Sequence, residues 1–314
     1  PLPMALDHVN VYVIDEGDSW TIIDTGFWSK KTQSIWSDIK EKWFSDKPIG
    51  KVIVTHHHPD HVGLAGWFQT EFKADLWMSR TAWLMARMLR LDYQKLPTEE
   101  TINFWRRAGM DDLILNERAT GKPFNFGDSV HEMPLGFRRI IDGEKIILGN
   151  RSWIVRVGNG HAPEHLTLWC EDEPIVIAGD QIISSISPNL GVYATEPDAD
   201  PVQEWLTSCE AFLPFSNDKQ LVLPGHKLPF YGLPHRLKQL IENHHSALKR
   251  LVAFLKEPQT AVDCFPVLFN RKISDNEYGL ALVEAVAHLN HLYRKKIVKR
   301  ELNSKGAYVY TLKN

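Results

Sequence analysis

Residues 55–63, with the sequence THHHPDHVG, carry the densest group of candidate metal ligands in the chain. They contain an H-x-H-x-D-H pattern, formed by His56, His58, Asp60 and His61. The stretch follows a short apolar run, which predicts a buried strand that ends at the histidines. Because side chains alternate along an extended segment, we expect the first two histidines to point the same way, and a turn then brings Asp60 and His61 towards them. Imidazole and carboxylate groups suit zinc, iron or manganese better than calcium.

Three later runs of β-forming residues end in a histidine or an aspartate beside a glycine. These candidate ligands are His161 in the motif GHAPEH, Asp180 after Ala-Gly, and His226 after Pro-Gly. Glycine permits the tight turn that presents a neighbouring side chain at the end of a strand. The sequence therefore predicts that several strand ends contribute to one metal site, with enough ligands for two ions.

The order of the motifs HxHxDH, GHAPEH, GD and PGH resembles the metallo-β-lactamase superfamily, and within it the branch of glyoxalase II and lactamase-β-2-type proteins. An Asp-Thr-Gly turn that begins at Asp24 matches as well. The resemblance implies that a first metal ion is bound by His56, His58 and His161. It implies that a second ion is bound by Asp60, His61 and His226. Asp180 would bridge the two ions, and Asp24 would support the histidine loop.

The resemblance also implies a cofactor of two divalent metal ions, with Zn²⁺ favoured and Fe or Mn as alternatives. Two such ions lower the pKa of a shared water enough to give hydroxide near neutral pH, and the hydroxide attacks an electrophilic carbonyl. Asp60 and Asp180 would orient the hydroxide, and Tyr193 is a candidate hydrogen-bond donor to the developing oxyanion. We therefore expect a hydrolase that acts on a thioester, a lactone or a related small ester-like substrate.

Two other activities stay open at this point. Basic residues at 294–296 and 299–300, beside a predicted two-stranded wing, suit phosphate contacts and would fit an endoribonuclease that binds RNA through its C-terminal region. Sulfur dioxygenase relatives keep HxHxDH but use a single iron, which would make the protein an oxidoreductase.

The charge distribution also fits a simpler role for the basic C-terminal region. Residues 236–314 hold 14 Lys and Arg against 7 Asp and Glu, whereas the whole chain holds 36 against 39. The basic region would then dock on the acidic remainder of its own chain, or of a second copy in a homodimer.

The expected fold class is α+β. The resemblance implies a four-layer αββα sandwich, and β-rich runs joined by helical segments agree with it. We expect a metallo-β-lactamase-like catalytic domain at residues 1–233, with a helical insertion at about 81–118. The pattern then changes to helices, which predicts a small C-terminal helical, winged-helix-like domain at 234–314, with its wing at 297–301 and 307–311.

The composition is that of a globular protein without a membrane span. The hydrophobic fraction is 43%, and no apolar run reaches the ~18 residues that a bilayer requires. Three widely spaced cysteines outside any CxxC pair predict reduced thiols and a cytoplasmic location. Among the remaining histidines, we expect His57 to be a loop residue without a ligand role and His165 to be structural. We expect partly exposed positions on the C-terminal helices for His244, His245, His288 and His291.

Overall fold

A computed structural model describes residues 2, 6–44 and 46–313 of the chain. Contacts within the chain divide it into two compact units. The first unit comprises Pro1–Tyr93, Phe124–Pro188 and Leu213–Arg236. The second unit comprises Gln94–Pro123, Asn189–Phe212 and Leu237–Asn314. Both units are discontinuous in sequence, and the division into residues 1–233 and 234–314 stays a prediction.

Within the described residues, the strands of the first unit form two five-stranded sheets. The first sheet contains, in spatial order, β1 (Tyr12–Asp15), β2 (Trp20–Ile23), β3 (Ile49–Ile53), β4 (Asp75–Met78) and β5 (Arg138–Arg139). The second contains β10 (Leu221–Pro224), β9 (Ile175–Gly179), β8 (His165–Cys170), β7 (Arg151–Gly158) and β6 (Lys145–Leu148). Strands β2 to β5 pair in parallel, as do β9 and β10, and the remaining pairs of both sheets are antiparallel.

The two sheets share one apolar core. Ile23 and Ile53 from the first sheet belong to the same buried cluster as Leu168 and Ile177 from the second. The residue before Ile23, Ile22, belongs to a different cluster on the outer face, as the alternation of side chains along a strand requires. The predicted packing of two sheets face to face is therefore confirmed.

Helices of the first unit cover the outer face of the first sheet. They are α1 (Lys30–Trp43), α2 (Pro59–Val62), α3 (Ala65–Phe72) and α4 (Arg80–Leu91). Trp36 of α1 and Phe68 of α3 meet edge to face in the outer cluster, with ring centroids 5.0 Å apart. Ser29 and Ser79 cap α1 and α4, since each side-chain oxygen accepts a hydrogen bond from a backbone N–H in the first turn.

The second unit is mainly helical. It contains α5 (Glu99–Arg107), α6 (Asp112–Thr120), α7 (Pro201–Phe212), most of α8 (Leu233–Phe254), α9 (Phe265–Phe269) and α10 (Tyr278–Arg294). Two antiparallel strands, β11 (Val298–Leu302) and β12 (Tyr308–Leu312), follow at the positions predicted for a wing. The segment predicted as a helical insertion at 81–118 contains α4 in the first unit and α5 and α6 in the second. The winged-helix description remains a prediction. Among the described residues, no helix is long and apolar enough to span a bilayer.

The exposure predicted for the C-terminal histidines is wrong for three of them. His244, His288 and His291 are buried, at 4%, 1% and 6% exposure. Helix α10 is apolar on nearly all sides, with an almost continuous buried stretch from residue 281 to 292, so it forms the centre of its unit and not a surface layer. This burial covers His288 and His291, which belong to α10. His244 belongs to α8 and stacks on His288, with ring centroids 5.2 Å apart.

Candidate metal centre

The ends of strands from both sheets supply the candidate ligands. Strands β2 and β3 run parallel, so Asp24 after β2 lies beside the histidine loop after β3. Strands β9 and β10 also run parallel, and Asp180 and His226 follow their ends. Strand β8 is antiparallel to β9, so the turn that enters β8 and carries His161 lies at the same edge. The topology thus gathers residues as far apart in the chain as Asp24 and His226.

Three overlapping groups of side chains have donor atoms within 4.8 Å of one another in the described part of the chain. The first group is His56, His58 and His161. The second is His56, His61 and Asp180. The third is Asp60, His61 and His226. The structure therefore brings together all seven predicted ligands, and it does so in the two sets implied by the resemblance with Asp180 at their junction. Their role as ligands remains a prediction.

Asp180 has contacts to both sets. Its Oδ2 atom lies 3.5 Å from Nε2 of His161 and 3.1 Å from Nε2 of His226. Its Oδ1 atom lies 3.4 Å from Nε2 of His61. A carboxylate with one oxygen between two imidazoles, and the other facing a third, has the position that a bridging ligand requires.

Contacts at Nδ1 orient the rings of three histidines so that Nε2 is directed towards the junction at Asp180. Nδ1 of His61 donates to Oδ2 of Asp24 over 2.8 Å, and Nδ1 of His226 donates to the carbonyl oxygen of His8 over 2.7 Å. Nδ1 of His56 lies 3.0 Å from the hydroxyl of Thr55. With Nδ1 protonated, Nε2 keeps its lone pair, which is the tautomer that binds a metal ion.

Asp24 holds the start of the histidine loop in place through hydrogen bonds to Thr55. Its Oδ1 accepts a hydrogen bond from the backbone N–H of Thr55, and its Oδ2 accepts one from the Thr55 hydroxyl, each over 2.8 Å. The backbone of Asp24 has φ of +59°, in the left-handed region that side chains other than glycine rarely adopt. The supporting role predicted for Asp24 agrees with these contacts, whereas the part played by Thr55 was not predicted.

An N-terminal segment fixes the loop that carries His226. The side-chain amide of Asn10 donates to the carbonyl oxygens of Pro224 and Lys227, over 3.0 and 2.7 Å. The hydroxyl of Tyr12 donates to the same carbonyl of Pro224 over 2.7 Å. These positions carry no ligand-type motif, so their role could not be predicted from the sequence alone.

Two further histidines lie within the cluster. His165 stacks on His56 with ring centroids 4.5 Å apart, and its Nε2 accepts the backbone N–H of Asp180 over 3.1 Å. It therefore positions a ligand residue, which agrees with the structural role predicted for it. His57 is also buried and belongs to none of the three donor groups among the described residues. Burial lowers the pKa of His165 to about 3 and that of His57 to about 4, so both rings are neutral.

The electrostatics of the cluster favour a cation at its centre. Burial, and then the neighbouring histidines, hold the pKa of His56 and that of His58 well below the usual range, so both rings are neutral. Burial opposes ionisation of Asp180, but His61 and His226 outweigh it and hold the pKa of this carboxyl well below its usual range. Burial also opposes protonation of His226, whose hydrogen bonds to Asp180 and Asp60 nevertheless raise its pKa to about 9. The carboxylates thus favour positive charge in a buried space, and a divalent cation would supply that charge.

Two observations show that the residues fit a bound metal. Nε2 of His61 and Oδ1 of Asp180 are buried without a hydrogen-bond partner among the described residues, although they face each other at 3.4 Å. Buried polar atoms of this kind are costly unless something else satisfies them. A Cβ atom at Gly225 would lie only 2.2 Å from Oδ1 of Asp180 and 2.7 Å from Cε1 of His61, so the glycine leaves room at this point.

Tyr193 is the residue predicted to donate a hydrogen bond to the developing oxyanion. It belongs to the second unit, in an irregular segment before α7, and half of its surface is exposed. Its role as an oxyanion donor stays a prediction.

Comparisons with known proteins agree with the site. The family model described as metallo-beta-lactamase superfamily matches residues 4–226, and the model described as metallo-beta-lactamase-like, C-terminal domain matches residues 248–313. Among curated relatives, the probable metallo-hydrolase YqjP of Bacillus subtilis is 23% identical over 100% of this chain and 96% of its own length. A beta-lactamase-like protein 2 homolog of Caenorhabditis elegans is 21% identical over 98% of this chain and 82% of its own length.

Solved structures show the same fold. A beta-lactamase domain protein from Burkholderia ambifaria has a TM-score of 0.91 and 31% identity, and the match covers 100% of this chain and 90% of that one. A metallo-beta-lactamase family protein from Thermus thermophilus has a TM-score of 0.81 and 24% identity, with 100% and 96% coverage. The arrangement of the donor groups, the family models and these structures lead to one conclusion. The chain belongs to the metallo-β-lactamase superfamily and carries a metal-binding cluster of histidines and aspartates typical of its hydrolases.

Proposed function

We propose that this protein is a dinuclear metal-dependent hydrolase that cleaves a small carbonyl substrate, a thioester, a lactone or a related ester. One observation carries the proposal: Asp180 lies at the junction of two donor groups, with Oδ2 within 3.5 Å of His161 and 3.1 Å of His226. A single ion would need only one of these groups. Zn²⁺ is the favoured metal because the donors are imidazoles and carboxylates without a thiolate, and Fe or Mn would accept the same set.

When bound, two divalent ions would supply a water activated for attack and a Lewis acid for the substrate oxygen. The chain's own part is to bind and to orient. His56, His58 and His161 would hold one ion, and Asp60, His61 and His226 the other. Asp60 and Asp180 lie beside His226, at 3.2 and 3.1 Å, and both are ionised, so their lone pairs can accept a hydrogen bond from a bound group and fix its direction. Asp24 keeps His61 in the required tautomer.

The contacts of the basic C-terminal residues support a carbonyl substrate over RNA. Nη1 of Arg300 lies 3.0 Å from Oδ1 of Asp198, and Nε of Arg294 donates to the carbonyl oxygen of the same residue over 2.9 Å. Lys299 pairs with Glu301 over 3.2 Å. Several of the charges predicted to contact phosphate are thus directed at groups of their own unit, which leaves them less available for a polyanion.

A hydrolysis screen tests the proposal. Protein loaded with zinc would be assayed against thioesters, lactones, β-lactams and RNA, with Asp180→Asn as the inactive reference and its metal content measured in parallel. We expect two ions per chain and turnover of a thioester or lactone that Asp180→Asn loses. Cleavage of RNA alone would replace the carbonyl substrate by a nucleic acid. One iron per chain with oxygen uptake would replace hydrolysis by oxidation.

A further inference from the structure

We propose that the second unit contains a binding site for a small amphiphilic anion, a carboxylate with a short apolar body, in a cleft between Arg107 and Arg300. The cleft has a volume of about 300 Å³ and is lined entirely by residues of this unit, from α5, α10, the segment before α7, and the β11–β12 hairpin. This volume is at the lower end of the range for small-molecule sites, which suits a compound of the size of benzoate.

The floor of the cleft is apolar and neutral. Phe104, Ala108, Val286 and Tyr310 line it, and each is less than a tenth exposed. Burial raises the pKa of the Tyr310 hydroxyl to about 12, so this group carries no charge at neutral pH. Such a floor favours a hydrocarbon or aromatic surface and disfavours a fully hydrated ion such as phosphate.

Arg300 is held rigidly at the rim. Its guanidinium lies 4.4 Å from the ring centroid of Tyr308 and 4.5 Å from that of Tyr293, and it forms the ion pair with Asp198 at 3.0 Å. An arginine fixed on two rings loses little side-chain entropy when it binds a ligand. Asp198 balances the single positive charge of Arg300, so Arg300 alone would not select an anion.

Arg107 supplies the additional positive charge. Its guanidinium lies 5.5 Å from the same Tyr308 ring, and in the described part of the chain no carboxylate lies within ion-pair distance of it. Glu100 is the other acid at the rim and is ionised, but among the described residues it forms no ion pair with Arg107. Hydrogen bonds from its own backbone N–H and from Thr98, at the start of α5, lower the pKa of this carboxyl. The rim therefore has one cation that is free to bind an anionic ligand.

The wall of the cleft is organised before any ligand binds. The side-chain amide of Asn290 donates to the carbonyl oxygens of Pro197 and Ala199, over 2.9 and 3.0 Å. These contacts and those of Asp198 fix the loop that forms one side. A preformed cleft with an apolar floor and a cationic rim matches an anion that also has an apolar body, because only such a ligand satisfies both surfaces.

The experiment is a calorimetric titration of the metal-loaded, full-length protein with benzoate, with benzamide as the uncharged analogue of the same shape and inorganic phosphate as the anion without an apolar body. Arg107→Met removes the free cation, and its side chain is exposed, so the variant is expected to fold. Arg118→Met is the matched control, because it makes the same substitution in the same unit at a side chain that stacks on Tyr278 outside the cleft.

We expect benzoate to bind at least about ten-fold more tightly than either benzamide or phosphate, since a charge-assisted contact contributes more than a neutral one. Arg107→Met should weaken benzoate binding by a similar factor, and Arg118→Met by less than about two-fold. Hydrolytic turnover should be unchanged in both variants. Equal binding of benzoate and benzamide, no binding at all, or benzoate binding that Arg107→Met does not reduce would overturn the proposal. The last result would assign the carboxylate to the metal centre.

Discussion

Among the described residues, the protein has two buried groups of histidines, and they differ in how their ring nitrogens are used. In the first unit, His61 pairs with Asp24 and faces Asp180, and several lone pairs converge on one space. In the second unit, Nδ1 of His244 lies 3.1 Å from Nε2 of His288, and Nδ1 of His288 donates to the carbonyl oxygen of Glu284 over 2.9 Å. There His288 uses one ring nitrogen on His244 and the other on the backbone, and His291 pairs with Asp200 over 3.0 Å. Both groups are buried, but among the described residues only the first brings donor atoms of three candidate ligands within 4.8 Å of one another.

The same contrast is visible in the electrostatics. Burial, and to a lesser extent neighbouring histidines, lower the pKa of His244 to about 3 and that of His288 to about 4, so both rings are neutral. In the metal cluster, carboxylates raise the pKa of His226 to about 9 against the effect of burial. Carboxylates at strand ends thus convert a packed set of imidazoles into a site for positive charge.

The largest expected effect is that of Asp180→Asn. The amide keeps the shape of the side chain but loses the charge and one acceptor at the junction of the two donor groups. We expect turnover to fall by at least about 10² to 10³-fold while the melting temperature of the protein stays within a few degrees. Asp75→Asn, at an exposed position in β4, is the control. Turnover close to that of the wild type would show that Asp180 is not a bridging ligand.

The second prediction compares two aspartates, Asp24 and Asp200, each of which contacts Nδ1 of a buried histidine. Asp24→Asn should lower zinc affinity by about 10- to 100-fold, because the amide does not fix the tautomer of His61. Asp200 forms the equivalent contact in the second unit, with Oδ1 3.0 Å from Nδ1 of His291. Asp200→Asn should leave zinc affinity unchanged and lower thermal stability instead. Competition with a chromogenic chelator measures both affinities. Equal losses of zinc in the two variants would remove the distinction between the clusters.

The third prediction concerns the pH dependence of the second unit. Burial raises the pKa of Glu284 from 4.5 to about 7, so ionisation of this group opposes folding. The folded state is favoured below pH 4.5, and that advantage is lost as the pH rises through 7. Glu284→Gln should therefore melt like the wild type at pH 4 and be more stable at pH 8, by about 1 to 3 kcal/mol. Melting curves at several pH values would show this.

Glu277, at the start of the same helix, provides the opposite case as a control. Hydrogen bonds from Arg271, and then from Ser274, lower its pKa to about 2. Its contribution to stability is present above pH 4.5 and is lost as the pH falls through 2. Glu277→Gln should therefore destabilise the protein at pH 7 and have less effect in acid. A shift of the same sign in both variants would contradict the assignment for Glu284.

The smallest effect is expected for His57→Ala. His57 is buried next to the ligand histidines but belongs to none of the donor groups found among the described residues. We expect two metal ions per chain, as in the wild type, and a modest loss of stability of about 1 kcal/mol from the cavity. Elemental analysis of the purified variant checks the metal content. The loss of one ion would show that His57 and not its neighbours completes a site.

Much of the first unit could be predicted because its pattern is local. The strands ending at Ile53, Gly179 and Pro224 are apolar runs that stop at glycine, histidine or aspartate, so both the strands and the ligands that follow them are visible in the sequence. Strands β5 and β6 were not predicted. β5 consists of two arginines, and β6 is a short strand of four residues in which Lys145 and Ile147 are exposed. These edge strands depend on pairing with a neighbour, which is a tertiary contact.

The sequence by itself determined the candidate ligands, their order and the family, because ligand type and spacing are chemical properties of a short stretch. Only the tertiary structure decided which histidines converge and which are merely packed. His244 and His288 are buried like the histidines at 56–61, but they belong to none of the donor groups found among the described residues. The supporting contacts of Thr55 and Asn10 were decided there as well. A hydroxyl or an amide acquires such a role only when folding brings the strand ends of two sheets to one edge.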